Sequence, residues 1–349
     1  MRRGMRIAAA VLASALLTLG AAGCGGEDEP TSGGGGGGAS KSALKIGLAY
    51  DIGGRGDQSF NDAAARGLDQ AKSEFGVQAK ELEAAQGETD AQKEERLRLL
   101  AEQGFNPIVA VGFAYSGPVG KVAKEFPEVK FGLIDDANAK GPNVANLTFA
   151  EEQGSYLVGV AAALKSKKKN VGFVGGVNVP LIKKFEAGYK AGVAAIDPKI
   201  KVQSNYLTQP PDFSGFNDPA KGKTAAEGMF DNGADVVYQA AGGSGGGVFE
   251  AAKAANGMAI GVDSDQALTA EADVRDVIIT SMIKKVEVAV HTFIKSVQEN
   301  QFKAGETVFD LKVDGVGYST TGGKIDDIKS QLEENKQKII SGEITVPTK

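Results

Sequence analysis

A single pattern repeats through roughly the last 300 residues of this chain, and it restricts the fold more than any other feature. Short apolar runs alternate with stretches whose apolar residues return at helical spacing. The runs are KIGLAY (45–50), PIVAVGF (107–113), VKFGLID (129–135), NVANLTF (143–149), NVGFVGG (170–176), KVQSNYL (201–207), DVVYQAA (235–241), MAIGVD (258–263) and DVIITS (276–281). Their length and β-branched content suit buried strands. Phe60, Ala64, Leu68, Ala71 and Phe75 form one helical stripe between them, and LIKKFEAGYKAGVAAI (181–196) carries another. Strand–helix alternation builds βαβ units, and these build largely parallel sheets. The rhythm occurs twice, before and after residue 150. A body of about 300 residues is large for one core and comfortable for two. The expectation is an α/β protein of two doubly wound parallel-sheet lobes. Such sheets bind ligands outside the C-terminal ends of their strands.

The N-terminus stands apart from this pattern. Arg2, Arg3 and Arg6 precede the apolar run IAAAVLASALLTLG, and small residues follow, which reads as an export signal over residues 1–23. The segment GAAGC ends at Cys24, the only cysteine in the chain, and resembles the lipobox of bacterial lipoproteins, with Ala21 where leucine is usual. A lone exported cysteine can form no internal disulfide, and lipidation gives it a role. Residues 24–43 then form a Gly- and Ser-rich tether, GGEDEPTSGGGGGGASKSA after the cysteine. The expected location is the extracytoplasmic face of the cell membrane, held by lipid.

Composition narrows the function. The formal net charge is -5, and no Lys/Arg block with interleaved aromatics occurs, which argues against a nucleic-acid partner. One histidine and no body cysteine argue against a zinc centre or a cysteine nucleophile. No G-x-x-x-x-G-K-[ST] motif is present, so the chain carries no P-loop of its own.

The stretch DIGGRGDQSFND (51–62), which follows the first strand, sets three glycines, three aspartates, a serine, an asparagine and a phenylalanine in one turn. A mere connection needs no such set. Further strand ends carry GGVNVP, GGSGGG and DSDQ. Taken in order, GLAYDIGGRGDQSFND, FVGGVNVPLIKKFEAGYKAGV, GFNDPAKGK, AAGGSGGGVFEAA, GVDSDQ and TSMIKKVEVAV resemble the basic membrane protein family, the purine nucleoside receptor type of ABC-transporter substrate-binding lipoprotein. The resemblance runs from about residue 44 to 320. It implies a type I periplasmic-binding-protein fold whose lobes are joined by a three-crossing hinge and close on a purine nucleoside (guanosine, inosine or adenosine). The implied partners are a membrane permease and its ATPase.

The same resemblance assigns roles. Phe60 and Phe216, one from each lobe, sandwich the base; Asp51 and Asn61 make polar contacts near it, and Asp135 adds a further carboxylate beside Asp136. Asp263 accepts from the sugar hydroxyls, Lys284 donates to them with Lys285 one step away, and Gly242 lets the backbone approach. The crossings are expected near 146, 264 and 305. That puts 44–146 and 265–305 in the N-terminal lobe, and 147–264 and 306–349 in the C-terminal lobe. NQFKAGETVFDLKVDGVGYS reads as a hairpin beside a sheet.

Other readings remain open on the residues alone. Phe60 heads a helical stripe that would equally bury it in a core, and Phe213 rivals Phe216. One of Asp263 and Asp265 suits a helix cap. The same fold could hold a pentose, or serve a nucleoside sensor. Gly242-Gly243-Ser244-Gly245-Gly246 fits the G-x-S-x-G of hydrolases, with Asp263 and His291 following in the order Ser, Asp, His. His291, however, falls inside a helical pattern, where a triad histidine would need a loop.

Overall fold

A computed structural model describes residues 44–349. The signal segment 1–23, Cys24 and the tether lie outside the described residues. In chain order the elements are β1 (Lys45–Ala49), α1 (Phe60–Phe75), β2 (Gln78–Leu82), α2 (Asp90–Glu102), β3 (Ile108–Ala110), α3 (Ser116–Glu125), β4 (Phe131–Ile134), β5 (Val144–Phe149) and α4 (Glu151–Lys165). They continue as β6 (Asn170–Val177), α5 (Pro180–Ile196), β7 (Lys201–Thr208), α6 (Pro219–Asp231), β8 (Val236–Ala240), α7 (Gly245–Ala254), β9 (Met258–Asp263) and α8 (Gln266–Thr269). The last are β10 (Ile278–Lys284), α9 (Val286–Gln298), β11 (Gly305–Phe309), β12 (Val316–Tyr318) and α10 (Lys329–Ile340).

The strands make two six-stranded sheets, ordered β2-β1-β3-β4-β5-β11 and β7-β6-β8-β9-β10-β12. Every pairing is parallel except β10 with β12. The two orders are the same winding used twice, and each reverses direction beside its first strand, at β1/β3 and β6/β8. Crevices at such reversals are where open α/β sheets bind ligands. Both faces of each sheet are apolar, as a sheet covered on both sides requires. Leu48, Val109 and Ile134 face one cluster while Ala49, Ala110 and Leu133 face another. In the second sheet Phe173 and Tyr238 oppose Val174 and Val237 in the same way.

The chain passes between the sheets three times: from β5 to β6, from β10 to β11, and from β11 to β12. The second passage corrects an expectation. Residues 265–305 do not form one block of the first lobe, because β10 pairs in parallel with β9 and belongs to the second sheet. The crossing therefore falls at Lys285, and from there α9 packs against α1. Strand DVIITS is legible in the sequence, but its pairing partner is not. The expected hairpin also dissolves: β11 joins β5 in the first sheet and β12 joins β10 in the second. The sequence pattern missed β2. It is an edge strand, QAKEL, whose Lys and Glu suit an exposed edge and hide any apolar run.

Candidate functional site

The ends of β1, β3 and β4 in one sheet face those of β6, β8, β9 and β10 in the other. Between them lies a cavity of about 530 Å³, mouth included. Asp51, Phe60, Asn61, Asp135, Phe216, Gly242, Asp263 and Lys284 all line it.

The loop after β1 is held by its own acids. Asp57 Oδ1 accepts the backbone N–H groups of Ser59 and Asp62, at 2.9 and 3.1 Å, and its Oδ2 accepts that of Asn61 at 2.8 Å. These are otherwise unpaired donors at the start of α1, where a carboxylate also meets the favourable end of the helix dipole. Asn61 is spent on the loop as well. Its Oδ1 accepts the Asp51 N–H at 3.1 Å, and its Nδ2 donates to Ile52 O at 3.2 Å and Asp57 Oδ2 at 3.1 Å. Its amide is thus built to hold Asp51 in place. Asp51 Oδ1 takes the Ile52 N–H at 2.8 Å. Gly112 lies against the other oxygen. Its φ is +102°, and a Cβ at this position would collide with Asp51 Oδ2, so no larger residue fits there. Burial pushes the Asp51 carboxyl up to about 7, with the Ile52 N–H pulling against it.

One end of the cavity is charged. Lys284 closes β10 with its side chain 2 % exposed; its ammonium meets Asp135 Oδ2 at 2.6 Å and Asp263 Oδ1 at 3.7 Å. It also sits 4.6, 5.3 and 5.5 Å from the ring centroids of Phe60, Phe149 and Phe185. Burial alone would lower its pKa, but Asp135, Asp263 and Glu151 outweigh that and raise it, keeping the lysine charged. Burial raises Asp263, against the pull of Lys284. Asp135 Oδ1 and Asp263 Oδ1 are buried with no hydrogen-bond partner among the described residues, and both residues take left-handed backbone, φ +66° and +63°. Unpaired buried acceptors and such φ values in non-glycine residues are both costly, and both concentrate at binding sites.

Neighbouring residues separate cleanly. Asp136 turns away to the Ser116 hydroxyl and the Asn138 and Ala139 N–H groups. Lys285 pairs with Asp314 at the surface. Asp265 stands at the start of α8 and takes the Thr321 hydroxyl.

Aromatic rings line the cavity as well. Phe113, after β3, meets Phe216 edge to face at 6.4 Å and Phe213 at 6.0 Å. Phe216 and Phe113 line the cavity, while Phe213 packs behind. Ser244 fixes the Phe216 turn from both sides: its hydroxyl donates to Gly215 O and accepts the Asp218 N–H, each at 2.7 Å. The G-x-S-x-G serine is therefore fully engaged and buried, and His291 instead pairs with Glu74 at 2.8 Å. Gly242, at φ +55°, would set a Cβ 3.0 Å from Phe216 O, so it too shapes this turn.

Sequence reasoning passed over Phe113, Leu181, Ile182 and Phe185, which also line the cavity. The rule that ligands sit at strand ends points to Phe113 directly. The other three start α5, where an apolar stripe reads as core. Glu151, at the start of α4, escaped notice as well; it is buried, bonded to Lys184 at 3.3 Å, and raised by burial against the pull of Lys284. Among the described residues no group of three or more His, Cys, Asp or Glu is placed to hold a metal ion, and no helix is long and apolar enough to cross a membrane.

The comparisons with known proteins agree with this architecture. Residues 43–349 match the model of a family described as ABC transporter substrate-binding protein PnrA-like. The ABC transporter nucleoside-binding protein BmpA of Lactococcus lactis subsp. cremoris is 33% identical over 329 residues, covering 88% of this chain and 90% of that protein. An uncharacterised lipoprotein of Pyrococcus furiosus is 32% identical over 333 residues, covering 86% and 80%. The crystal structure of a solute-binding protein of an Aeropyrum pernix ABC transporter system superposes with a TM-score of 0.76 at 32% identity, covering 88% of this chain and 94% of that one. The fold is that of type I solute-binding proteins, and the chain belongs to the basic membrane protein family of PnrA-like ABC-transporter substrate-binding proteins.

Proposed function

We propose that this protein captures a purine nucleoside between its two sheets and delivers it to an ABC permease and its ATPase. The observation that carries the reading is one cavity lined both by phenylalanine rings, Phe60, Phe113 and Phe216, and by a buried lysine, Lys284, held between Asp135 and Asp263. A planar base stacks between Phe60 and Phe216, one ring from each side of the cleft. Lys284 covers one face of Phe60, so the base uses the other. The ribose hydroxyls then donate to the unpaired oxygens of Asp135 and Asp263 and accept from Lys284. Four carboxylates line the cavity, from Asp51, Asp57, Asp135 and Asp263, against one ammonium, so a phosphate is repelled and the ligand is a nucleoside rather than a nucleotide. The nucleoside-binding name of the Lactococcus relative supports the ligand class, and the lipoprotein name of the Pyrococcus relative supports anchoring through Cys24.

Calorimetry tests this on residues 44–349, which contain both sheets and their apolar clusters, refolded to remove retained ligand. The panel is guanosine, inosine, adenosine, cytidine, ribose and guanosine monophosphate. Tight binding of a purine nucleoside, with neither ribose nor the monophosphate bound, is the expected result. Binding of ribose alone overturns the purine assignment in favour of a pentose site. Silence across the panel overturns the capture role.

A further inference from the structure

Gln58 lies between Asp57 and Phe60, which line the cavity, but does not line it itself. Its backbone is left-handed, φ +56°, an uncommon and costly conformation for a residue with a side chain. Its N–H donates to Asp62 Oδ2 at 3.0 Å, on α1 of its own lobe. Its other hydrogen bonds cross to the second lobe. The Gln58 carbonyl accepts from Thr269 Oγ1 at 2.9 Å and from Gln266 Nε2 at 3.2 Å, and the Gln58 amide donates to Glu271 Oε1 at 2.9 Å.

The receiving side is fixed by its own lobe. Gln266 is buried, and its Oε1 accepts the Val262 N–H at 2.9 Å and the Gln239 amide at 2.7 Å. That leaves its Nε2 to donate to the Gln58 carbonyl. A second grip lies beside the first. Ser59 Oγ shares its proton between Val262 O and Asp263 Oδ2, each at 3.1 Å. Ser264 Oγ donates to Ser59 O at 2.8 Å and accepts from Arg66 of α1, also at 2.8 Å. Ser59, Ser264, Gln266, Thr269 and Glu271 stay out of the cavity lining, as Gln58 does.

Building on the nucleoside reading above, we propose that Gln58 is a latch, a positioning residue that holds the lobes together over a bound nucleoside and sets how long it stays. The latch touches no part of the ligand. It therefore slows the release of every purine nucleoside alike and adds no selectivity among them. Association is not affected, because the cross-lobe bonds form only once the lobes have met around the ligand.

Surface plasmon resonance on residues 44–349 tests this, with inosine, guanosine and adenosine passed over the immobilised protein. The double substitution Thr269→Val with Glu271→Ala removes two of the three Gln58 bonds from the far side and leaves the loop after β1 unaltered. Release is expected to quicken about tenfold, alike for each nucleoside that binds, with association unchanged. The effect is of this size because a hydrogen bond exchanged for water keeps only part of its strength, and such losses fall mainly on the release rate. Thr269→Ser with Glu271→Gln keeps a donor and an acceptor in place and is expected to release as slowly as the unaltered protein. Unchanged release in Thr269→Val with Glu271→Ala overturns the inference. So does slower association without faster release, which would mark a distorted site, and so does an effect that differs among the bases, which would mark a contact with the ligand. If the unaltered protein binds none of the three, the nucleoside reading itself fails and this inference falls with it.

Discussion

At Lys284, two carboxylates in ion-pair reach, a third nearby and three aromatic faces converge on one ammonium. Removing one partner of a buried pair strands the other, at a cost of roughly 3–5 kcal/mol. Lys284→Met is therefore expected to lower the urea midpoint and to abolish the proposed nucleoside binding, and Lys285→Met, at the surface pair with Asp314, to leave both nearly unchanged. Equal effects of the two changes would contradict this account of the charged end. If the proposed stacking is right, Phe216→Ala is expected to weaken nucleoside binding by about 1–3 kcal/mol by calorimetry, and to keep the fold because the ring is only half-buried against the core. At this scale the sequence could name residue types but not choose between neighbours. Lys284 and Lys285, or Asp135 and Asp136, differ by one position. Which of each pair faces the cavity depends on where a strand stops and which way its backbone turns, and at Asp135 and Asp263 that turn is a left-handed φ invisible in the letters.

The site is carried by loops that are themselves cross-braced. Asp57 and Asn61 hold the loop after β1, and Ser244 clips the Phe216 turn at Gly215 and Asp218. Across the cleft, Ser264 Oγ donates to Ser59 O at 2.8 Å and Thr269 Oγ1 to Gln58 O at 2.9 Å, so the start of α1 is gripped from the second sheet. Ser244→Ala leaves the part-buried Asp218 N–H without its acceptor and loosens the Phe216 turn. It is expected to weaken nucleoside binding by about 1–2 kcal/mol, and Ser244→Thr, which keeps the hydroxyl, to restore part of it. Unaltered affinity in Ser244→Ala would show that the clip does not position Phe216. Nine strands of the fold were legible as apolar runs. β2 was not, because an edge strand needs no apolar run, and the pairings of β10, β11 and β12 were not, because strand partners are chosen across the whole chain.

Over the whole molecule, three passages join two copies of one winding, an arrangement suited to hinge closure on a ligand. Burying acids in the cleft also shapes stability. The pKa of Asp51 is raised to about 7 and that of Asp57 to about 6, both chiefly by burial. An unfolded chain releases such protons near pH 4, so between about pH 4 and 7 the folded form binds more protons and its stability falls as pH rises. Carboxylates lowered by cationic partners, such as Glu88 beside Arg96, act oppositely and lose their contribution below about pH 4.5. The ligand-free protein is therefore expected to be most stable near pH 5, with its urea midpoint declining toward about pH 7.5; a midpoint that rises over that interval contradicts the cleft electrostatics. The central claim is the placement of the base, and a crystal structure of the refolded body grown with inosine tests it most directly. The expected result is the hypoxanthine ring between Phe60 and Phe216, with the ribose against Asp135, Asp263 and Lys284. A base lying away from both rings, or a cavity that takes up only a sugar, would contradict it.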